Sequence, residues 1–280
     1  MPNRYPVYTT MEPQPRIMCE ALHEQVFDYP FYNDGVPHAR VNRGQTYPLE
    51  SFAPEEDSNA LELRGLIFHT SHCGSTLLSG MLSQVKSVRV VKESEAINGV
   101  LLVHLMFGLP EEEVVLRLKK IIRAYSQKAE GKQHLIIKLT SWNVYLIRLF
   151  HRAFPGVKWL YLDRDAEALL ASLEKADGGL LDWWNSPTDI LWKHFVLDRN
   201  EVTDKASFLR SIIAGHHHHA NQHRNEQGLF LTYPNFLEAF EPIVDHFGLV
   251  ATADEIAQAQ EQRKYNAKTQ QPLEGQDFNS

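Results

Sequence analysis

The chain is predicted to fold as a three-layer α/β protein, with a central parallel sheet of about five strands and helical insertions. Three observations lead there. Leu66, Ile67 and Phe68 form the short unbroken apolar run of a strand covered on both faces. Further short runs at 88–91, 134–139, 157–162 and 228–232 alternate with stretches of helical period, which implies parallel strands joined by helical crossovers. Finally, 280 residues, 43% of them apolar, can bury a core of that size.

Residues 1–62 read as an irregular segment, because prolines such as Pro2, Pro6, Pro30, Pro37, Pro48 and Pro54 interrupt longer elements. One helix is expected at 17–26. The aromatic residues Phe27, Tyr29, Phe31 and Tyr32 suggest a segment packed on the main body, where it could also cover the substrate side of a site.

The body spans 63–268. After the first strand, Thr70-Ser-His-Cys-Gly-Ser-Thr76 opens a helical run. Residues 96–130 are helical by period, with Val100, Val103, His104 and Phe107 on one part, Val114, Leu118, Ile121 and Ile122 on another, and Pro110 between. The strand at 134–139 carries Lys138 near its carboxyl end. A helix at 142–154 stops at Pro155-Gly156, and the strand at 157–162 closes with Asp163-Arg164-Asp165 before a helix at 166–175. Then come a loop at 176–186 with Trp183 and Trp184, helical residues 188–225, the fifth strand, and helices at 234–247 and 254–263. Residues 269–280 read as a flexible tail.

Composition sets further bounds. Two cysteines, Cys19 and Cys73, make no disulfide framework and suit a reducing, cytoplasmic setting. Residues 1–10 lack the apolar core of a signal peptide, and no run approaches the ~18 apolar residues of a membrane span. A net charge of −7 argues against general nucleic-acid affinity, so any polyanionic ligand needs a local basic cluster.

Such a cluster is expected at the carboxyl ends of the strands, where ligands of open parallel sheets bind. Strand, glycine turn and helix start aim free backbone N–H groups and a helix dipole at one point, an anion site. The Gly-x-x-x-x-Gly-Lys-Ser/Thr and Gly-x-Gly-x-x-Gly patterns are both missing. Simple packing is the alternative. Arg164 and Ser172 stand eight residues apart, which brings them back to within about 80° on a helix, so that fork and hydroxyl can meet one phosphate. Otherwise Arg164 pairs with Asp163 or Asp165 and Ser172 faces solvent. The run before Lys138 sets it near buried ground.

In these residues the chain resembles the sulfotransferases that use 3′-phosphoadenosine 5′-phosphosulfate (PAPS), over roughly residues 64–268. The resemblance implies a P-loop-like fold and transfer of a sulfuryl group from PAPS to a hydroxyl or amine of a small-molecule or peptide acceptor, leaving adenosine 3′,5′-bisphosphate. Ser71, His72, Cys73, Gly74, Ser75 and Thr76 would hold the 5′-phosphosulfate, and Arg164 and Ser172 the 3′-phosphate. Lys138 would meet the leaving-group charge, Tyr233 the adenine, and Lys268 would close over the 3′-phosphate. Thr140 stands where the cytosolic branch has its histidine. Glu93, with Glu95 second, matches the glutamate base of the bacterial and tyrosylprotein-like branches. His72 replaces the loop's usual lysine or arginine; it can donate one hydrogen bond, and a bound dianion would raise its pKa. Two other readings stay open: a nucleotide-dependent phosphotransferase on the same fold, and a nucleotide-binding protein without catalysis.

Two features lie outside this constellation. His216, His219 and His223 share a helical face, which suggests a metal, but no cysteine cluster or His-Glu-x-x-His pattern accompanies them, and a polar helix face is the simpler reading. Trp183, Trp184 and Trp192 could line an acceptor pocket or join the core. The acceptor itself is unspecified, because its pocket would come from the insertions at 1–62, 96–130 and 176–225.

Overall fold

A computed structural model of the chain describes residues 3–54, 58–176, 184 and 189–272. Its centre is a five-stranded, wholly parallel sheet in the order β5-β6-β4-β7-β8. The strands are β4 (Glu62–His69), β5 (Val88–Lys92), β6 (His134–Lys138), β7 (Lys158–Arg164) and β8 (Gly228–Tyr233). Leu66, Ile67 and Phe68 are buried at its middle, as expected of a strand flanked by neighbours and covered by helices. Register aligns the carboxyl ends: Lys92 lies beside Lys138, His69 beside Leu162, and Arg164 beside Tyr233. Those side chains therefore share one edge of the sheet.

The connecting helices follow the apolar periods. They include α2 (Ser75–Leu82), α3 (Glu95–Phe107), α4 (Glu111–Tyr125), α5 (Ile147–Ala153) and α6 (Ala166–Glu174), then Asp189–Phe195, Lys205–Gln222, Phe240–His246 and Ala253–Glu261. Where one helix was expected at 142–154, a tighter 3-10 turn at Ser141–Leu146 precedes α5. Thr140 opens that turn with a reciprocal capping box to Asn143.

The N-terminal segment corrects the sequence reading. It is not irregular, and no helix spans 17–26. It forms a three-stranded antiparallel sheet, β1 (Arg4–Thr9), β2 (Arg16–Leu22) and β3 (Arg40–Pro48), with a 3-10 turn at Glu24–Asp28 and a short helix α1 (Tyr32–Ala39). The prolines that read as breakers are accommodated: Pro6 lies in an edge strand beside a bulge, and Pro48 ends β3.

Close packing fixes this sheet to the body. A Cβ on Gly99 in α3 would stand 2.4 Å from the carbonyl oxygen of Thr9, so only glycine lets β1 approach so near. The buried Arg89 of β5 donates to both carboxylate oxygens of Glu24, at 2.6 and 2.8 Å, and to the carbonyls of Tyr125 and Gln127. The buried Lys92 donates to the carbonyls of Phe27 at 2.9 Å and Tyr29 at 3.1 Å, which brings Phe31, two residues on, to the carboxyl edge of the main sheet. Near the other terminus, Tyr265 bridges to Pro272. Residues 266–272 thus form a turn, while the rest of the expected tail, 273–280, lies outside the described residues.

Candidate functional site

A cleft of about 850 Å3 opens at the carboxyl edge of the parallel sheet. Ser71, His72, Cys73, Gly74, Ser75, Thr76, Glu93, Arg164, Ser172, Tyr233 and Lys268 all line it, together with Phe31, His69 and Arg263. A neighbouring cavity of about 510 Å3 shares Thr76, Leu77, Tyr265, Asn266 and Ala267 with it.

The floor is the turn between β4 and α2. His72 and Gly74 adopt left-handed backbone, with φ of 61° and 85°, and Gly74 caps α2. A Cβ at Gly74 would sit 2.8 Å from the Tyr233 ring, so glycine is required by conformation and by space. The side chain of Cys73 belongs to the core, and burial pushes its thiol up to about 12. It has only main chain to offer a ligand. Ser75 is also buried, while Thr76 is half-buried beside the Lys138 ammonium, which donates to its hydroxyl at 3.4 Å.

One end of the cleft is densely paired. Lys138 is wholly buried at the end of β6, in direct ion-pair contact with Glu93 and 5.3 Å from the centre of the Phe31 ring. Glu93 has left-handed backbone, φ 58°, and its N–H donates to the Lys138 carbonyl at 2.8 Å. Non-glycine residues in that region carry strain, which tends to persist where a site requires it. Burial pushes the Glu93 carboxyl up, but Lys138, with His69 and Lys268, outweighs burial and holds it below the usual carboxylate range. Glu95, by contrast, is exposed on the first turn of α3, outside the cleft lining, and accepts from Asn98 at 3.3 Å.

His69 was not singled out from the sequence. Its ring nitrogens face the carbonyls of Thr70 at 3.0 Å and Leu139 at 2.9 Å, and Nε2 lies 3.8 Å from Glu93. Burial, helped by Lys138, lowers it to about 4, so the ring is neutral near pH 7. Its place as the last residue of β4 was the available signal.

The other end is loosely held. The Arg164 guanidinium lies 5.1 Å from the centre of the Tyr233 ring and donates to the His72 carbonyl at a long 3.5 Å. Its acidic sequence neighbours are engaged elsewhere: Asp163 accepts from Thr70, and Asp165 caps α6 through Ala168. Ser172 faces the cleft rather than open solvent, its hydroxyl 2.9 Å from His72 Nδ1. His72 thus touches a residue assigned to the opposite phosphate. Burial, then Lys268 and Arg164, lower its pKa.

The histidine face of Lys205–Gln222 is packed, which corrects the polar-face reading. His216 is fully buried with its ring centre 5.0 Å from that of Tyr145, and His219 lies 4.9 Å from the same ring. Burial lowers both to about 4. Among the described residues, no three His, Cys, Asp or Glu side chains come together as a metal site. Trp192 stacks on Trp184 and on Phe208, outside the cleft lining, and Trp183 lies outside the described residues. No described helix is long and apolar enough to cross a membrane.

No protein-family model and no curated protein matches the chain. The solved structures it is similar to include a sulfotransferase from Alicyclobacillus acidocaldarius, at 13% identity and a TM-score of 0.42 over 76% of this chain and 97% of that one. A second is the sulfotransferase STF9 from Mycobacterium avium, at 10% identity and 0.45 over 76% and 68%. A third is a mouse sulfotransferase complexed with PAP, at 12% identity and 0.39 over 80% and 73%.

Proposed function

We propose that the protein is a PAPS-dependent sulfotransferase acting on a hydroxyl or amine of a small-molecule or peptide acceptor. The observation that carries this reading is one cleft joining an anion cradle (Gly74, the α2 N-terminus and Arg164) to a buried carboxylate–ammonium pair, Glu93 and Lys138. The residues fit such a ligand: the cradle exists because Gly74 has no Cβ, and a −7 chain gathers Arg164, Arg263 and Lys268 around it, with Lys138 buried behind Glu93.

PAPS would supply the sulfuryl group. The loop amides from Ser71 to Thr76 and the α2 dipole would hold its 5′ end, and Arg164, Ser172 and Lys268 the 3′-phosphate. Tyr233, already against Arg164, would face the base. Lys138 would neutralise charge building on the departing phosphate oxygen. Glu93 would take the acceptor proton, which requires Lys138 to turn from its carboxylate toward the cradle. Thr140 donates no base; its hydroxyl accepts from Asn98 at 2.9 Å.

Titration calorimetry with adenosine 3′,5′-bisphosphate, AMP and ATP tests this. Preference for the bisphosphate supports it; preference for ATP would favour a phosphotransferase. Binding without turnover over alcohols, phenols and amines would favour a nucleotide-binding protein, a reading that the tight Glu93–Lys138 pair keeps in view.

A further inference from the structure

We propose that Asp163 and His217 are positioning residues for the anion cradle. The Asp163 carboxylate fastens Thr70, the first loop residue, to the end of β7 beside Arg164, and His217 flanks that carboxylate from the helix Lys205–Gln222. The role assigned to the cradle rests on the function proposed above.

The geometry sets the order of the contacts. Thr70 Oγ1 lies 3.0 Å from Asp163 Oδ1 and 2.7 Å from the Tyr161 hydroxyl. A carboxylate only accepts, so Thr70 gives its single hydrogen to Asp163 and receives one from Tyr161. The second oxygen, Oδ2, lies 2.8 Å from His217 Nε2, a close approach that forms no hydrogen bond as the ring is oriented. Oδ1 is therefore committed to Thr70, while Oδ2 lies against the His217 ring. Main chain adds a third tie, the Thr70 N–H donating to the Leu162 carbonyl at 3.0 Å. The next residue, Arg164, reaches the His72 carbonyl. Two consecutive residues at the end of β7 thus grip two residues of the loop.

Electrostatics makes the arrangement informative. A carboxylate one residue from the arginine of an anion site would repel the anion, and the hydrogen bond it accepts from Thr70 offsets part of that charge. In return the loop and Arg164 are held in one frame, as two ends of a single ligand require. Tyr161, whose ring centre lies 6.5 Å from that of His217, walls the network.

The test uses the full chain with Asp163→Asn, Thr70→Val, Thr70→Ser and His217→Phe. Native-state hydrogen exchange of amides 71–76, without nucleotide, should quicken about tenfold in Asp163→Asn and Thr70→Val, the worth of one hydrogen bond to a charge. Thr70→Ser should restore wild-type exchange, and His217→Phe should show a smaller rise. Bisphosphate affinity should fall about tenfold in Thr70→Val, which leaves the charge at Asp163 in place, and loop protection in the double variant should be lost no further than in either alone. Unchanged loop exchange, or additive losses in the double variant, would overturn the proposal. A wild-type protein with no affinity for the bisphosphate would sink the functional reading alone, since loop exchange still decides whether Asp163 fastens Thr70. Thr70→Val keeps the side-chain volume, so if Asp163→Asn fails to fold the decision passes to it.

Discussion

The two ends of the cleft are built on opposite principles. At the β5–β6 end the charges already have partners: Lys138 is wholly buried and ion-paired with Glu93, and the carboxyl is held low by that cation. At the β7–β8 end Arg164 rests on a ring and a long hydrogen bond, with His72 neutral beside Ser172. Under the function proposed above, a ligand would break a strong pair at the first end, suited to timing chemistry, and would complete a weak one at the second, suited to gripping.

The sharpest way to break this contrast is Glu93→Gln. Turnover should fall about 10²- to 10⁴-fold, the usual worth of a general base, while calorimetry finds bisphosphate affinity nearly unchanged. Normal turnover would remove Glu93 as the base. Next, Lys138→Met leaves a half-buried carboxylate without its cation, with an expected loss of about 3 kcal/mol in urea denaturation. Arg164→Ala, at the weakly paired end, should cost almost no stability yet reduce discrimination between the bisphosphate and AMP by about tenfold or more. Unchanged discrimination would move the 3′-phosphate elsewhere. Smaller again, His72→Lys should tighten bisphosphate binding severalfold, up to about tenfold, because it supplies a full charge where the imidazole is neutral.

A last prediction concerns pH and tests stability alone. His69, His216 and His219 are lowered to about 4 by burial. Near pH 6.5 the unfolded chain begins to bind protons that the native rings refuse, so stability should decline from about pH 6.5 down to pH 4, where the native rings also protonate. Glu93 acts at lower pH: its depressed carboxyl adds stability above the unfolded value near 4.3, lost as pH falls through the lower native one. Denaturation midpoints at pH 7, 6 and 5 measure the first decline. His216→Phe should reduce its slope by about one proton.

Legibility in the sequence follows the same division between local and distant partners. The parallel strands were readable because double-sided burial writes an apolar run into each, and crossover helices separate them. The placement of Glu93, Lys138 and Arg164 at the carboxyl edge was readable because the apolar runs before them fix where each strand stops. The N-terminal sheet was not, since Arg16–Leu22 pairs with Arg40–Pro48 across an intervening turn and helix, and edge-strand prolines read as breaks. His69 facing Glu93, and Asp163 set between Thr70 and His217, are contacts made only when distant segments meet. Nothing in local pattern announces them.

The four-way bonding of Arg89 has a bearing on synthesis. Phe31 forms a wall of the cleft, but the segment carrying it is tied down by Glu24 on Arg89, which also needs the carbonyls of Tyr125 and Gln127. Some hundred residues must therefore follow Glu24 out of the ribosome before that knot can close.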